Sequence, residues 1–425
     1  MQGPVKVLII GYGQRGADPF GVVIHDNPDR FDLVGVADAD PVRRELARKT
    51  FGKDLACFES GEEMLANPRF ADLVIVSVQD RLHYKFVIAA LEKGYHVLVE
   101  KPVSPDLQEC LDIVQKAKDH DRKVFVCHVL RYTPFYSFIK EAISNGEIGE
   151  VVALDQIENV GYWHQAHSFV RGNWSNSARS APMILAKSCH DMDILLWLSG
   201  RNCERVSSFG GLYLFREEKA PEGSTERCVD CPVSDCPYNA TDIYMNSSFG
   251  YNSGNREWPL TVLTTDLDTP DAIMEAIRSG PYGRCVYKCD NDVVDHQVVN
   301  MEFEDGVTAS FTMCAFANGG ARNIKVMGTM GDIIGDMEAN VIKIQRFGKP
   351  VRVIEINKLG LDMSGHAGGD RLMMLDIADI LRDPDRSAPG LTSIAYSIQS
   401  HQMAFAAEKS RLSEGMPVEI IGEKL

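Results

Sequence analysis

The chain has 425 residues, of which 44% are apolar and 24% charged, and this length is enough for two ordinary globular domains. No apolar run reaches the roughly 18 residues that a membrane-spanning helix needs, so we expect no membrane segment. The net charge of −16 argues against a nucleic-acid-binding protein, because phosphate backbones are bound by basic faces. A strand-like run starts almost at the N-terminus without the features of a signal peptide, which favours a cytoplasmic protein.

Short apolar runs alternate with amphipathic stretches over the first 125 residues. The predicted strands are Val5–Ile10, Leu33–Ala37, Leu73–Val78, His96–Val99 and Lys123–Val126. The predicted helices between them are Pro41–Phe51, Ser60–Ala66, Leu82–Lys93 and Leu107–Asp119. Short apolar strands separated by helices are typical of a parallel sheet that is covered on both faces. We therefore predict a doubly wound Rossmann domain over residues 1–128.

A glycine-rich loop directly follows the first predicted strand and predicts a dinucleotide site. Gly11 permits a tight turn, Gly13 lets the backbone approach a pyrophosphate, and Gly16 lets the next helix lie close to the strand. Asp38 ends the second strand, where a carboxylate accepts hydrogen bonds from the adenosine ribose and repels a 2′-phosphate. This favours NAD over NADP, although Arg43 would soften that preference. The cofactor-binding residues predicted here are Gly11, Gly13, Gln14, Arg15, Gly16, Asp38 and Arg43.

Polar residues also follow the predicted strands Leu73–Val78 and His96–Val99. Because the carboxyl ends of parallel strands line the ligand crevice, we expect these residues to contact the cofactor as well. They are Ser77, Val78, Gln79, His83, Glu100 and Lys101. A lysine in this position can donate to a substrate hydroxyl or carbonyl oxygen, whereas a solvated lysine is the simpler alternative.

The pattern changes after about Cys127, from strand–helix alternation to a mixture typical of an α+β domain. A helix-like stretch, Tyr136–Ser144, precedes the strand-like run Val151–Ile157, and period-2 segments follow later. These segments are Gln297–Phe303, Val307–Cys314, Asn323–Met327 and Val341–Arg346, with helical patterns at Arg371–Leu381 and Ser393–Leu412. We predict a second domain over residues 129–425 with a large, mostly antiparallel sheet and a long insertion at about 215–287.

Several motifs occur together in the order typical of one family. They are Gly11–Gly16, Asp38, Glu100-Lys101-Pro102, Arg131 within Leu-Arg-Tyr-Thr-Pro, His190-Asp-Met-Asp193, and Asp305-Gly306 between two strands. With these motifs the chain resembles the glucose–fructose oxidoreductase / inositol dehydrogenase / MocA family over nearly its whole length outside the insertion. The resemblance implies a nicotinamide cofactor, redox chemistry at a hydroxyl of a sugar or cyclitol, and dimers or tetramers that associate through the open sheet face.

The family's usual catalytic set is a lysine, an aspartate, and a histidine four residues after that aspartate. The resemblance places the lysine at Lys101 and the histidine at His190. It does not supply the aspartate, because position 186 is Ala. Lys187 and Asp191 lie nearby in sequence, but on different faces of a helix or turn.

The stretch from Gly161 to Trp174 is dense in aromatic, His, Arg and Asn residues. Aromatic faces stack on sugar rings, and imidazole and amide groups hydrogen-bond to hydroxyls. A loop packed by its own aromatic residues is the alternative, and the spacing of His164 and His167 is only weak support for a metal. The predicted substrate-binding residues are Lys101, Arg131, Tyr162, His164, His167, His190 and Asp191. Arg131 would bind an anionic substituent or hold the domain junction.

Cysteine spacing in the insertion suggests a metal site. Cys228, Cys231 and Cys236 form a C-x2-C pair followed by a third cysteine, which is a frequent start of a tetrahedral zinc site. Cys203, Cys285, Cys289 or a histidine would supply the fourth ligand, while a local disulfide or reduced thiols are the alternatives. Downstream, His366 is expected to border the pocket, and Asp370 would also fit as a helix N-cap.

Two enzymatic hypotheses follow. The first is an NAD-dependent dehydrogenase that acts on a secondary hydroxyl of a sugar, sugar derivative or cyclitol. The second is a hydrolase or lyase that holds NAD in a closed cycle of oxidation, elimination, hydration and re-reduction. A non-enzymatic NAD sensor is a third and less favoured hypothesis.

Overall fold

The computed structural model describes residues 3–361, 363–383 and 392–420, and its N-terminal part forms a six-stranded parallel sheet. The strands are β1 (Val5–Ile10), β2 (Phe31–Ala37), β3 (Ala56–Phe58), β4 (Leu73–Val76), β5 (His96–Val99) and β6 (Val124–Val126). The helices are α1 (Val22–Asp26), α2 (Pro41–Phe51), α3 (Gly61–Ala66), α4 (His83–Glu92) and α5 (Leu107–Asp119). The order β3-β2-β1-β4-β5-β6 is that of a doubly wound Rossmann sheet, as predicted.

Local sequence explains most of these elements. Side-chain oxygens of Asp40, Ser60 and Asp106 accept backbone N–H bonds at the first turns of α2, α3 and α5. The central strands are buried on both faces, which accounts for their unbroken apolar runs. The short strand β3 was not predicted, because its three residues are only half-buried and carry little periodicity.

The remainder of the described chain is built on a nine-stranded sheet. Its strands are β7 (Val151–Gly161), β8 (Cys203–Gly211), β9 (His296–Phe303), β10 (Thr308–Ala317), β11 (Ala321–Gly328), β12 (Gly331–Asp336), β13 (Val341–Arg346), β14 (Arg352–Glu355) and β15 (Val418–Glu419). All neighbouring pairs are antiparallel except β7 and β10. The predicted, mostly antiparallel sheet is therefore confirmed, as are the hairpin turns before β10 and β12.

The remaining helices of the described chain pack against this sheet, lie in the segment between β8 and β9, or reach the first domain. They are α6 (Pro134–Ser144), α7 (Tyr162–His164), α8 (Met183–Ala186), α9 (Cys189–Ser199), α10 (Leu260–Leu263), α11 (Pro270–Ser279), α12 (Ser364–Ala367), α13 (Gly369–Arg382) and α14 (Ile394–Leu412). Met373, Met374 and Ile377 of α13 pack with Val7 and Ile9 in the core under the Rossmann sheet. The predicted boundary at residue 128 therefore divides the sequence, but residues far beyond it still pack into the core of the first domain.

The segment between β8 and β9 contains the predicted insertion and forms a separate hydrophobic core together with residues 162–170. Buried members of this core include Phe215, Tyr244, Ile273 and Ile277. The aromatic residues and helix α11 let the segment fold although its Gly, Pro and Asn content favours loops. No helix in the described part of the chain is long and apolar enough to cross a membrane.

Two histidines outside the insertion predict a pH-dependent stability. His96 Nδ1 accepts the Lys123 backbone N–H at 3.0 Å, and His401 Nε2 accepts the Val103 N–H at 3.0 Å. Burial and neighbouring positive charge lower the pKa of His96 to about 4 and that of His401 to about 3. The unfolded chain therefore binds more protons below about pH 6.5, and stability present above that pH is lost as the pH falls.

We expect the melting temperature to fall between pH 7 and pH 5, with each histidine costing about 2 kcal/mol at most. The substitution His401→Gln, which keeps an acceptor that does not titrate, should flatten this dependence. His25→Gln is the matched control, because His25 is exposed. An unchanged slope in the His401→Gln variant, measured by thermal unfolding across this range, would contradict the assignment.

Candidate active site

The glycine-rich loop leaves no room for side chains at two positions. A Cβ on Gly11 would lie 2.6 Å from the Ser77 carbonyl oxygen, and Gly11 has a φ of +92°. A Cβ on Gly16 would lie 2.1 Å from the Gly11 carbonyl oxygen. Ser77 Oγ also donates to the Gly11 carbonyl at 2.7 Å. Helical structure begins within the loop, where the Ala17 N–H donates to the Gly13 carbonyl at 2.8 Å, so the loop forms a helix N-terminus as in dinucleotide sites.

Asp38 lies beside this loop at the end of β2. Its Oδ2 accepts the Tyr12 N–H at 2.7 Å, its Oδ1 accepts the Asp40 N–H at 2.9 Å, and Arg43 Nη1 lies 3.6 Å from Oδ2. Arg43 and Gln14 are exposed, and Arg43 also reaches to within 3.3 Å of where a Gly13 Cβ would be. The structure thus brings the predicted ribose carboxylate and glycine loop together, with Arg43 next to them. These groups fit a dinucleotide.

Arg15 is held by carboxylates from both halves of the chain. Its Nε donates to Glu100 at 2.5 Å, and its Nη2 donates to Asp370 at 2.9 Å. Asp370 also contacts His366 Nδ1 at 2.7 Å. Burial raises the pKa of Asp370, but Arg15 and His366 outweigh it and hold that pKa well below its usual range. The alternative that Asp370 caps its helix is wrong, since Gly368 is in that position.

The buried His83 connects two loops that border the crevice. The His83 ring is fully buried, with Nδ1 2.8 Å from the Pro102 carbonyl oxygen and Nε2 3.1 Å from the Val78 carbonyl oxygen. Val78 is half-buried and Gln79 is exposed. The contacts of His83 favour a positioning role, because it links the loops that follow β4 and β5.

Lys101 and His190 are brought together across the two domains. Lys101 Nζ donates at 2.8 Å to the carbonyl oxygen of Ala186, which lies four residues before His190 in the chain. Burial, followed by the positive charge of Lys101, holds the pKa of His190 well below its usual value. His190 Nδ1 is buried and has no hydrogen-bond partner. The imidazole is therefore neutral near pH 7 and able to accept a proton.

A cluster of charged residues includes Lys187, next to the position of the absent aspartate, and two members that the sequence did not single out, Glu158 and Arg322. Lys187 Nζ lies 3.2 Å from Glu158, and Arg322 lies 2.7 Å from Glu158 and 2.7 Å from Asp191. Burial lowers the pKa of Lys187 and raises that of Glu158, although the two form an ion pair. The Asp191 carboxylate is fully buried and also accepts a hydrogen bond from Gln156 Nε2 at 2.6 Å. Asp191 is therefore fixed in position and in turn holds Arg322. Alternation along β7 could have indicated Gln156 and Glu158, since both occupy buried positions.

The predicted substrate loop folds as α7 followed by a π-helix, Gln165–Arg171. His167 is buried, contacts the Tyr244 hydroxyl at 2.9 Å and stacks on Tyr282. His164 is half-buried, and the positive charges of Lys187 and Lys101 add to burial in lowering its pKa. His164 therefore lies near Lys101 and Lys187, whereas Tyr162 and His167 pack against the insertion.

Arg131 lies at the domain junction. Its Nε and Nη2 donate to the two oxygens of Asp193 at 2.7 and 2.6 Å, and the arginine is only 4% exposed. Such a paired geometry supports the alternative that Arg131 holds the junction.

All eleven cysteines are free thiols in the structure, so the disulfide alternative has no support. Within the described residues, no three His, Cys, Asp or Glu side chains are already arranged around a metal position. Zinc therefore remains a prediction at this point.

The fold and these groups define a two-domain protein with an NAD-type Rossmann site at the junction. Family models for the NAD-binding Rossmann fold and the C-terminal α/β domain of one oxidoreductase family match residues 5–128 and 140–420. The chain belongs to this family, the Gfo/Idh/MocA oxidoreductases, as the motifs indicated. It is therefore an enzyme of the NAD-binding oxidoreductase class.

Named relatives differ in their chemistry. The Bacillus subtilis (strain 168) protein YteT, named as an oxidoreductase, is 27% identical over 92% of this chain and 93% of its own length. An inositol 2-dehydrogenase/D-chiro-inositol 3-dehydrogenase of Lactiplantibacillus plantarum is 27% identical over 48% of this chain and 55% of its own. A 2,7-anhydro-N-acetylneuraminate hydratase of Escherichia coli (strain K12) is 25% identical over 48% of this chain and 53% of its own.

A solved structure shares the fold. Levoglucosan dehydrogenase in complex with NADH and levoglucosan superposes with a TM-score of 0.71 at 16% identity, over 99% of this chain and all of that one.

Asp38→Ala should weaken NAD binding by about 10- to 100-fold, because two charge-assisted hydrogen bonds to the ribose are lost. It should also relax the discrimination against NADP, since Arg43 then lies beside the 2′ position without its carboxylate. Calorimetric titration with both dinucleotides measures this. Asp40→Ala removes the same charge two residues away and should leave the NAD preference intact. Equal losses in both variants would show that only net charge matters.

Proposed function

We propose that the protein is an NAD-dependent oxidoreductase that transfers hydride between the nicotinamide and a secondary hydroxyl of a sugar, sugar derivative or cyclitol. The observation that carries this proposal is the convergence of Lys101 and a neutral His190 beside the glycine-loop crevice. The inositol and levoglucosan dehydrogenases among its relatives and structural neighbours support the substrate class.

The glycine loop and Asp38 would hold NAD, which when bound would supply the acceptor for the hydride from the carbon that bears the hydroxyl. Lys101 Nζ, which donates to the Ala186 carbonyl in the structure, turns its remaining N–H groups to the substrate oxygen and stabilises the charge that develops there. His190 accepts the hydroxyl proton, because burial and the neighbouring Lys101 ammonium keep its imidazole neutral. His164, Tyr162 and the Arg322 network shape the substrate side, and Asp38 with the glycine loop orients the cofactor.

A redox-neutral glycoside hydrolase or lyase is the second candidate. Two observations favour it: position 186 carries no carboxylate, and relatives include hydratases. In this cycle, oxidation of a hydroxyl acidifies the neighbouring C–H, a base removes that proton, the leaving group departs, water adds, and the carbonyl is reduced again. The dehydrogenase releases NADH stoichiometrically, whereas the lyase exchanges solvent deuterium into the product without net NADH. Kinetics with a panel of sugars and glycosides in deuterium oxide separates the two.

Lys101→Ala should lower kcat by about 10²- to 10⁴-fold, equivalent to about 3–5 kcal/mol of barrier, because the oxygen loses its donor. NAD affinity should stay near that of the parent, since the adenosine contacts come from Asp38 and the glycine loop. Lys101→Arg should not restore the rate, because a guanidinium is bulkier and does not release a proton near neutral pH. Steady-state kinetics and NAD titration measure both quantities. If Lys101→Ala retains more than about a tenth of the parent rate, Lys101 is a structural cation, and the catalytic role belongs to His190.

We also propose that copies of the chain associate through the open face of the nine-stranded sheet, as homodimers or homotetramers. Cross-strand pairing aligns Phe209, Val298, Thr312 and Ile157 in one row on the solvent side of that face. Phe209 is 55% exposed and Ile157 43% exposed. Three of these four residues are exposed and apolar, and exposed apolar patches on a sheet are typical of an interface.

Ile157→Glu should convert the assembly to a smaller species, because a carboxylate buried against an apolar face is strongly unfavourable. Leu46→Glu on α2 is the matched control, since Leu46 is similarly exposed but lies on the first domain. Light scattering coupled to size-exclusion chromatography gives the mass of each variant. The same mass for parent and Ile157→Glu would contradict this interface.

A further inference from the structure

Four cysteines of the insertion line one small cavity. Cys228, Cys231, Cys236 and Cys285 border a space of about 20 Å³, which is the size of one small ion or water. Arg171, the last residue of the π-helix that follows α7, borders the same space. The cavity lies outside the Lys101–His190 crevice, and the proposed reaction uses none of these thiols.

The backbone explains why distant cysteines meet here. Arg227 and Arg284 form an antiparallel bridge, and the Cys285 N–H donates to the Glu226 carbonyl at 2.9 Å. Cys228 and Cys285 each directly follow a residue of this bridge. A tight turn at Cys228, in which the Cys231 N–H donates to the Cys228 carbonyl at 3.2 Å, brings the third thiol back to the same side.

Arg171 is a buried cation that lacks a carboxylate partner. It is 2% exposed, and its Nε and Nη2 donate to the carbonyl oxygens of Arg284 and Tyr238 at 2.7 and 2.6 Å. Its Nη2 also donates to Cys228 Sγ at 3.3 Å, while Nη1 has no hydrogen-bond partner. Among the described residues no carboxylate forms an ion pair with it. Because an uncompensated buried charge is costly, the cavity should contain negative charge.

We propose that Cys228, Cys231, Cys236 and Cys285 bind one zinc ion as a tetrahedral tetrathiolate site, with Arg171 as its positively charged neighbour. Binding releases the four thiol protons and leaves a net charge of −2, which Arg171 partly offsets by donating to a ligand sulfur. Both intervals within Cys228–Cys236, two and four residues, fall in the usual range for zinc ligands.

The thiols do not yet surround a common point at ligand distance. A tetrathiolate needs sulfurs about 2.3 Å from the metal and hence about 3.7 Å from one another. Forming the site therefore requires these four side chains, which already line the cavity, to rotate toward one another. Through Arg171, such a site would hold the insertion against the π-helix Gln165–Arg171. This helix contains His167 and directly follows His164.

Metal analysis of untagged protein, purified without chelator, tests this proposal independently of activity. We expect about one zinc per chain, and cobalt substitution should give the intense thiolate charge-transfer and d–d bands of a tetrahedral sulfur site. Cys285→Ser should lower the metal content at least tenfold. Cys289→Ser is the matched control: it lies four residues later, outside the cavity lining, and should retain the metal.

If Cys285→Ser does not fold, alkylation of the parent protein replaces it. Cys228, Cys231, Cys236 and Cys285 should then resist iodoacetamide until a chelator is added, as mapped by mass spectrometry, whereas chelator should not change the labelling of Cys289. Absence of zinc, iron in its place, a disulfide among the four cysteines, or metal loss in Cys289→Ser but not in Cys285→Ser would each overturn the proposal.

Discussion

The guanidinium of Arg15 lies between two carboxylates that are 270 residues apart in the chain, Glu100 and Asp370. Arg15 belongs to the glycine loop, Glu100 precedes Lys101, and Asp370 lies in the first turn of α13. This one pair of ion contacts therefore fixes the phosphate-side loop relative to both the lysine and the C-terminal half of the chain. A loop held in this way costs little to order when a dinucleotide binds.

The crevice is locally basic in a chain whose net charge is −16. Lys101, Lys187 and Arg322 converge there, while the neighbouring carboxylates Glu158 and Asp191 are buried and paired. Burial first, and the neighbouring positive charge second, lower the pKa values of His164 and His190, so these histidines remain neutral. These positive charges stabilise a substrate oxygen that gains negative charge during the reaction. The crevice is therefore better suited to alkoxide or enolate chemistry than to binding a free cation.

Sequence reasoning recovered what depends on local patterns. The Rossmann order, the glycine loop, Asp38 and the placement of Lys101 follow from short apolar strands and from residues at their carboxyl ends. It missed β8 and β12 because Ser and Gly residues weaken their periodicity, and pairing with neighbours supplies the missing stability. It also missed Glu158, Arg322 and the Arg15–Asp370 pair, since these contacts depend on sheet register and on how α13 returns to the first domain.

The return of the last helices has a consequence for motion. After the second sheet is complete, α13 packs under the Rossmann sheet, and α14 lies against α5, β6 and α9 at once. A further backbone bridge joins Phe125 to Ser393. The two halves are thus connected by several packed segments rather than by one flexible hinge. Wide opening of the cleft would disrupt these packed core contacts, so substrates should enter and leave through small loop displacements. For the same reason, the N-terminal half expressed alone would expose the apolar face that α13 covers.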